Sequence, residues 1–346
     1  MLAEHDRIPE IALEWHGQGK GAVLATVVET WGSVPRPVGA QLAVSGEAEI
    51  MGSVSGGCVE GAVVAEALEA ISDGQCRIME FGVSDDDAFA VGLACGGRIR
   101  VMVEPVGKGE GPAADLVERV VAARARREAL AVETDTGDWS RRVLGYHDLP
   151  ELFDTDRSGF REDSTGKGAR FVWVSNPPLR LAVVGAVHIA QPLAEMARLT
   201  GYDVTLIDPR EAFASEARFP GKALVHDWPD AALEAHGLDH RTAVVTLTHD
   251  PKLDDPALLA ALRAPVFYVG ALGSSRTHAR RVARLAEAGL SEDEIARIDA
   301  PIGLDIGARS PAEIAIAVMA EMTERLRRPA TRPGRQPRAR VVGAAA

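Results

Sequence analysis

The chain has 346 residues, with 38 basic and 50 acidic side chains, giving a net charge of −12. Hydrophobic residues make up 46% and charged residues 25%, the balance of a globular protein with room for about two domains rather than a disordered chain or a coiled coil. The negative field repels a nucleic-acid backbone, and 5% aromatic content argues against a base-stacking surface, so no nucleic acid is expected as a partner. No apolar run reaches the ~18 residues that would span a bilayer. The start, MLAEHDRIPE, lacks the basic flank and apolar stretch of a signal peptide, so a cytoplasmic protein with no membrane partner is expected. The three cysteines are too few for a disulfide framework, and without a CxxC pair a structural zinc site is not expected.

In chain order, the valine- and threonine-rich run Gly21 to Thr30 predicts a strand, and a loop with two prolines follows from Trp31. A second strand starts at Gln41. The loop Gly52 to Cys58 leads into a helix over Val59 to Ile71, whose spacing puts Val64, Leu68 and Ile71 on one face. Strands start at Arg77 and Arg98, on either side of the loop that contains Cys95. A helix over Ala113 to Arg127 precedes strands near residues 129–133, 141–144 and 170–174, and Asp154 to Gly168 reads as a mobile loop. Two prolines in SNPPLR mark a linker, so the domains are expected at 1–177 and 178–328, with an arginine- and proline-rich tail at 329–346 read as disordered.

After the linker the pattern becomes regular. Five apolar strands beginning near Leu181, Asp203, Lys222, Thr242 and Pro265 are joined by helical segments, with a last helix signalled by Ser310, Pro311 and Glu313. Strands without alternation, separated by helices, predict a parallel sheet covered on both faces. The fold class is thus α/β, with an α+β first domain and a Rossmann-like second one.

The chemistry-bearing residues fall into a few clusters. In LAVVGAVHIA, a strand, a turn at Gly185 and a helix precede Asp208, which ends the next strand about 20 residues on, where an acid can bind ribose hydroxyls. The middle fingerprint position holds Val187 in place of a glycine, so NAD(P) is doubtful. His188 follows strand one and His249 and Asp250 follow strand four, which the expected strand order brings together as a metal site, an acid–base pair, or helix-capping loop residues. Gly273, Ser274, Ser275 and Arg276 form a glycine-serine turn at a basic helix start, suited to a phosphate or to a plain connection. In the first half, Ser55, Gly56 and Gly57 lead to Cys58, read as lying in the first turn of a helix, where the dipole favours thiolate. Glu60 in the same turn reads as a capping acid or a proton acceptor. Cys95 is a second thiol beside paired glycines, and the two thiols read either as ligand contacts or as small residues in tight turns. Cys76 reads as core.

The segments GSVPRPVGA, GSVSGGCVEGAV, GLACGGRIRVMVEP, DPREAFASEARFP, LTHD, YVGALGSSRTHARR and PIGLDIGARSPAEIAIAVMAEM, in this order, resemble the XdhC/CoxI family over roughly residues 10–327. The resemblance implies an accessory protein of xanthine dehydrogenase or carbon monoxide dehydrogenase that binds molybdenum cofactor, assists its sulfuration and inserts it into a molybdenum hydroxylase apoenzyme. It further implies a cysteine desulfurase as a second partner and a homodimer. Molybdopterin carries a dithiolene and a phosphate, which suits Cys58 and Cys95 for the metal end and Ser274, Ser275, Arg276 and Arg36 for anionic groups. The family usually has a glycine where this chain has Val187. The competing expectation is an NAD(P)-dependent oxidoreductase built on the β-α-β frame.

Overall fold

A computed structural model of the protein describes residues 7–32, 35–82, 97–162 and 169–328. They divide into two compact units, the first ending at Pro177 and the second beginning at Pro178.

The first unit opens with α1 (Ile8–Gly17), β1 (Ala22–Trp31), β2 (Gln41–Ser45), β3 (Ile50–Gly52), α2 (Glu60–Asp73), β4 (Arg77–Phe81), β5 (Arg98–Pro105) and α3 (Ala114–Ala125). It continues with β6 (Leu130–Asp135), β7 (Arg141–Gly145), α4 (Pro150–Asp154), β8 (Gly159–Glu162) and β9 (Ala169–Ser175). Among the described residues, the first five strands make an antiparallel sheet in the order β3-β2-β1-β5-β4, and the last four make a second one, β7-β6-β9-β8. The strands of the larger sheet bury both faces. Val23, Ala25 and Val27 of β1 pack with Val63, Ala67 and Ala70 of α2, and Leu24 packs with Ile8 and Ala12 of α1 and Val117 of α3. Val28 and Met102 meet Phe171 of the smaller sheet.

The second unit comprises β10 (Arg180–Val184), α5 (Ala190–Leu199), β11 (Asp203–Ile207), β12 (Ala223–Val225), α6 (Pro229–His236), β13 (Thr242–Thr246), α7 (Pro251–Arg263) and β14 (Tyr268–Ala271). It ends with α8 (Ser275–Glu287), α9 (Glu292–Ile295), β15 (Ile298–Asp299) and α10 (Pro311–Arg327). The sheet is parallel, in the order β12-β11-β10-β13-β14-β15. Leu181 and Val183 of β10 face α5 and α10, and Ala182 and Val184 face α7, which is why this strand reads as an unbroken apolar run. The strand order reverses between β10 and β13, so their carboxyl ends open the crevice at which such folds place ligands.

Three expectations need correction. The parallel sheet has six strands rather than the expected five, because the two-residue β15 is too short to show as an apolar run. The buried face of α2 is Val63, Ala67 and Ala70, one residue away from the expected stripe, and Leu68 is exposed. Small alanines let the helix lie close on the sheet, and the larger side chains flank the contact. The segment read as a mobile loop contains β8, which pairs antiparallel with β9. The expected tail at 329–346 and Cys95 lie outside the described residues.

Candidate functional site

In the first unit the residues of the glycine-serine loop converge on one carboxylate. Helix α2 begins at Glu60 with Val59 as its N-cap, so Cys58 stands just before the helix rather than in its first turn. Glu60 Oε1 accepts from Ser53 Oγ at 2.7 Å, from the Ser55 amide at 2.9 Å and from the Val54 amide at 3.2 Å. Its Oε2 accepts from the Gly57 amide at 2.8 Å and from Ser55 Oγ. Burial by itself raises a carboxyl pKa, but the Ser55 and Ser53 hydrogen bonds and the loop amides outweigh it and bring Glu60 down to about 2. A carboxylate that acidic is a poor proton acceptor near neutral pH, and its geometry is that of a loop organiser. The amides of Gly56 and Val59 are also engaged, on Ser53 Oγ and Ser55 Oγ. The loop therefore folds around its own internal anion.

What this loop presents outward is Gly56, Gly57 and Cys58, all exposed. Gly57 takes φ +117°, a value open to glycine, and this turn carries the chain out to Cys58 before the helix begins. Arg36 joins them by donating its Nε to the Ser53 carbonyl at 3.2 Å, with no other hydrogen-bond partner for its guanidinium among the described residues. The loop thus brings a thiol and an arginine to one rigid turn.

Cys76 differs in every respect. It is buried, its Sγ lies 3.5 Å from Arg141 Nη2, and burial with the nearby Glu104 carboxylate pushes its thiol up to about 12. Iodoacetamide at pH 7.5 is therefore expected to label Cys58 at least ~100-fold faster than Cys76. Peptide mapping checks this, and equal labelling would contradict the assignment of the two thiols.

In the second unit the turns after β10, β13 and β14 meet. A Cβ on Gly185, whose φ is +103°, would fall 2.4 Å from Thr248 Cγ2, and one on Gly273 would fall 3.6 Å from His249 Nδ1. Gly185, Thr248, His249 and Gly273 thus lie together at the carboxyl ends of β10, β13 and β14. Asp250 caps α7 by accepting from the Lys252 amide at 3.0 Å, and Ser274 caps α8 by accepting from the Thr277 amide at 3.2 Å. Ser275, Arg276 and His188 are exposed, and Val187 is half-buried against the sheet core. Among the described residues no group of three His, Cys, Asp or Glu side chains is arranged to hold a metal ion.

Asp208 is fully buried, at 0% exposure. Its carboxylate receives the Ala186 amide at 3.0 Å, the Arg210 amide at 3.0 Å, and Arg210 Nε and Nη2 at 2.8 Å each. Burial would raise its pKa, but Arg210 and the two amides lower it below the ordinary range. Arg210 stands two residues after Asp208 in the DPRE segment, and nothing in the glycine fingerprint points to it. Sequence reading also missed Thr248, Asp254 and Arg281. Asp254 Oδ1 accepts from Thr248 Oγ1 at 2.7 Å, and Arg281 Nη2 donates to the Leu272 carbonyl at 2.9 Å, 3.6 Å from Asp254 Oδ2. Asp254 and Arg281 are 2% and 1% exposed, and they tie the bases of the loops after β13 and β14 together.

The XdhC Rossmann domain family matches residues 181–322, and the XdhC and CoxI family matches residues 15–82. The chain is 34% identical to the molybdenum cofactor insertion chaperone PaoD of Escherichia coli over 322 residues, covering 93% of this chain and 89% of PaoD. It is 27% identical to a probable xanthine dehydrogenase subunit of Bacillus subtilis, covering 89% of this chain and 94% of that protein. A crystal structure from Bacillus halodurans described as a xanthine dehydrogenase shares the fold, with a TM-score of 0.71 at 23% identity, over 94% of this chain and 98% of that one. In sequence and in fold, the chain belongs to the XdhC and CoxI family.

Proposed function

We propose that the protein is a molybdoenzyme accessory factor that binds molybdenum cofactor as its cargo, assists its sulfuration and inserts it into a xanthine dehydrogenase-type apoenzyme. The observation that carries this reading is the exposed Cys58 turn, held rigid by Glu60, in a chain similar to PaoD along nearly its whole length. A thiol suits the soft metal end of the cargo and the Arg36 guanidinium suits an anionic group on it. Cys95 is proposed as the second thiol. Gly185, Gly273, Ser274, Ser275 and Arg276 are proposed to receive the phosphate-bearing end. A cysteine desulfurase as sulfur source, a homodimer and a cytoplasmic setting belong to the same proposal. The oxidoreductase alternative gains no support, because Asp208 has its acceptor positions filled by protein groups and Val187 stands where a dinucleotide's pyrophosphate needs glycine.

Reconstitution of a molybdenum hydroxylase apoenzyme with cofactor-loaded protein tests the reading. Cys58→Ala is expected to reduce delivery by about tenfold, the effect of one lost contact of ~1.4 kcal/mol. Native mass spectrometry reports whether cargo is retained. Full delivery by Cys58→Ala would remove the thiol from the mechanism, and failure of the unmodified protein to retain or deliver cofactor would remove the function.

A further inference from the structure

The segment after β11 carries a cluster of side chains to which the proposed function gives no role. An acid at the end of the second strand of a Rossmann unit ordinarily accepts from the ribose hydroxyls of a dinucleotide. A carboxylate has about four acceptor positions, and Asp208 has all of them filled by the amides of Ala186 and Arg210 and by Arg210 Nε and Nη2. It is also fully buried. No ribose diol can be recognised there.

What reaches the surface in its place is Arg210. Its side chain is 39% exposed, and its Nη1 has no hydrogen-bond partner among the described residues. The guanidinium carbon lies 4.0 Å from the centroid of the Phe213 ring, and that of Arg218 lies 5.8 Å from the same ring. Arg218 Nη1 is fixed by the carbonyls of Ala186, at 2.8 Å, and Phe213, at 2.6 Å. Asp208 and Arg218 thus hold the Ala186 peptide by its N–H and its C=O, which places two guanidinium groups and an exposed ring beside the Gly185 turn. Asp250 and Asp254 also act electrostatically on Arg210, so an anion here depends on Arg218 as well as on Arg210.

We propose that Arg210 and Arg218, both lying over the Phe213 ring, form a seat for a phosphomonoester at the end of β11. Guanidinium forks match phosphate oxygens, and the ring beneath holds them in place. The inference rests on the proposed reading and deepens it by adding Arg210 and Arg218 to the residues that receive the phosphate-bearing end. The phosphate can belong to a nucleotide or to a phosphomonoester without a base.

Calorimetry on the full chain with adenosine, 5′-AMP and inorganic phosphate tests it. The expected result is that 5′-AMP binds about tenfold more tightly than adenosine, the increment of one charge-assisted contact. Inorganic phosphate that displaces 5′-AMP at equal concentration identifies a base-free phosphomonoester, and much weaker displacement identifies a nucleotide. Arg218→Gln is expected to abolish the preference over adenosine. Asp208→Asn combined with Arg210→Gln, which keeps a neutral hydrogen-bonded pair at the buried position, is expected to do the same. Should either variant melt early, Phe213→Ala removes the surface ring that both guanidinium groups lie over and is expected to weaken 5′-AMP. Equal affinity for adenosine and 5′-AMP, no binding of any probe at millimolar concentration, or a preference unchanged in the folded variants would overturn the proposal. Delivery of molybdenum cofactor is not read in this experiment, so its failure is distinguishable from failure of the function proposed above.

Discussion

Replacement of Arg281 by methionine is expected to destabilise the second unit by about 3–5 kcal/mol, the usual cost of removing one member of a buried charge pair. Arg281 is 1% exposed and Asp254 is 2% exposed. Burial lowers the arginine's pKa and raises the aspartate's, against the mutual attraction of the pair, so each group disfavours its own charge without the other. Methionine fills most of the volume but leaves Asp254 as a buried acid whose Oδ2 has no partner among the described residues. It also removes the bond to the Leu272 carbonyl, which anchors the loop before Gly273. Replacing both residues, as Arg281→Met with Asp254→Leu, is expected to recover more than half of the loss, because no uncompensated charge remains. Urea melts followed by circular dichroism give the comparison. A single variant within about 1 kcal/mol of the parent, or a double variant no better than the single, would show that the pair does not brace the crevice.

The parallel sheet was legible because its information is local. Val, Ile and Leu runs mark β10, β11 and β13, and Ser310, Pro311 and Glu313 mark the start of α10 through a capping box that the structure contains. Strand order alone led to the expectation that His188, His249 and Asp250 meet at the crevice, whereas the approaches the structure shows there are of Gly185 to Thr248 and of Gly273 to His249. The roles of Glu60 and Asp208 were not legible, because each depends on which donors the folded chain brings to it. Asp208 read as a ribose-binding acid and Glu60 as a capping acid or a proton acceptor, and both turn out to be surrounded by protein N–H and O–H groups. Arg281 was hidden for a different reason. In RTHARR it reads as one more charge on a basic helix, and only the packing of α7 against α8 shows that it is inside.

Lowering the pH is expected to weaken the first unit through Glu60. The carboxyl is held at about 2 in the folded protein against an ordinary value of 4.5. Its contribution is therefore complete above pH 4.5. It declines as the unfolded chain takes up the proton first, and it is gone once the pH has fallen through the folded value near 2. At ~1.36 kcal/mol per unit, the window is worth about 3 kcal/mol. Glu60→Gln removes it and does further harm at neutral pH. The amide has a single acceptor oxygen, and its NH₂ faces donors that formerly had a carboxylate oxygen to bond, each costing about 1–3 kcal/mol if left unmet. The parent is thus expected to lose stability between pH 5 and pH 3 relative to Glu60→Gln, whose urea midpoint starts lower and changes less. Because the Gly57 amide bonds the same carboxylate, the turn carrying Cys58 loosens with it. The alkylation rate of Cys58 at pH 7.5 should then differ between the parent and Glu60→Gln, even where both remain folded. An identical pH slope in parent and variant would show that Glu60 is not the acid responsible. An unchanged Cys58 rate would show that the thiol turn holds its shape without it.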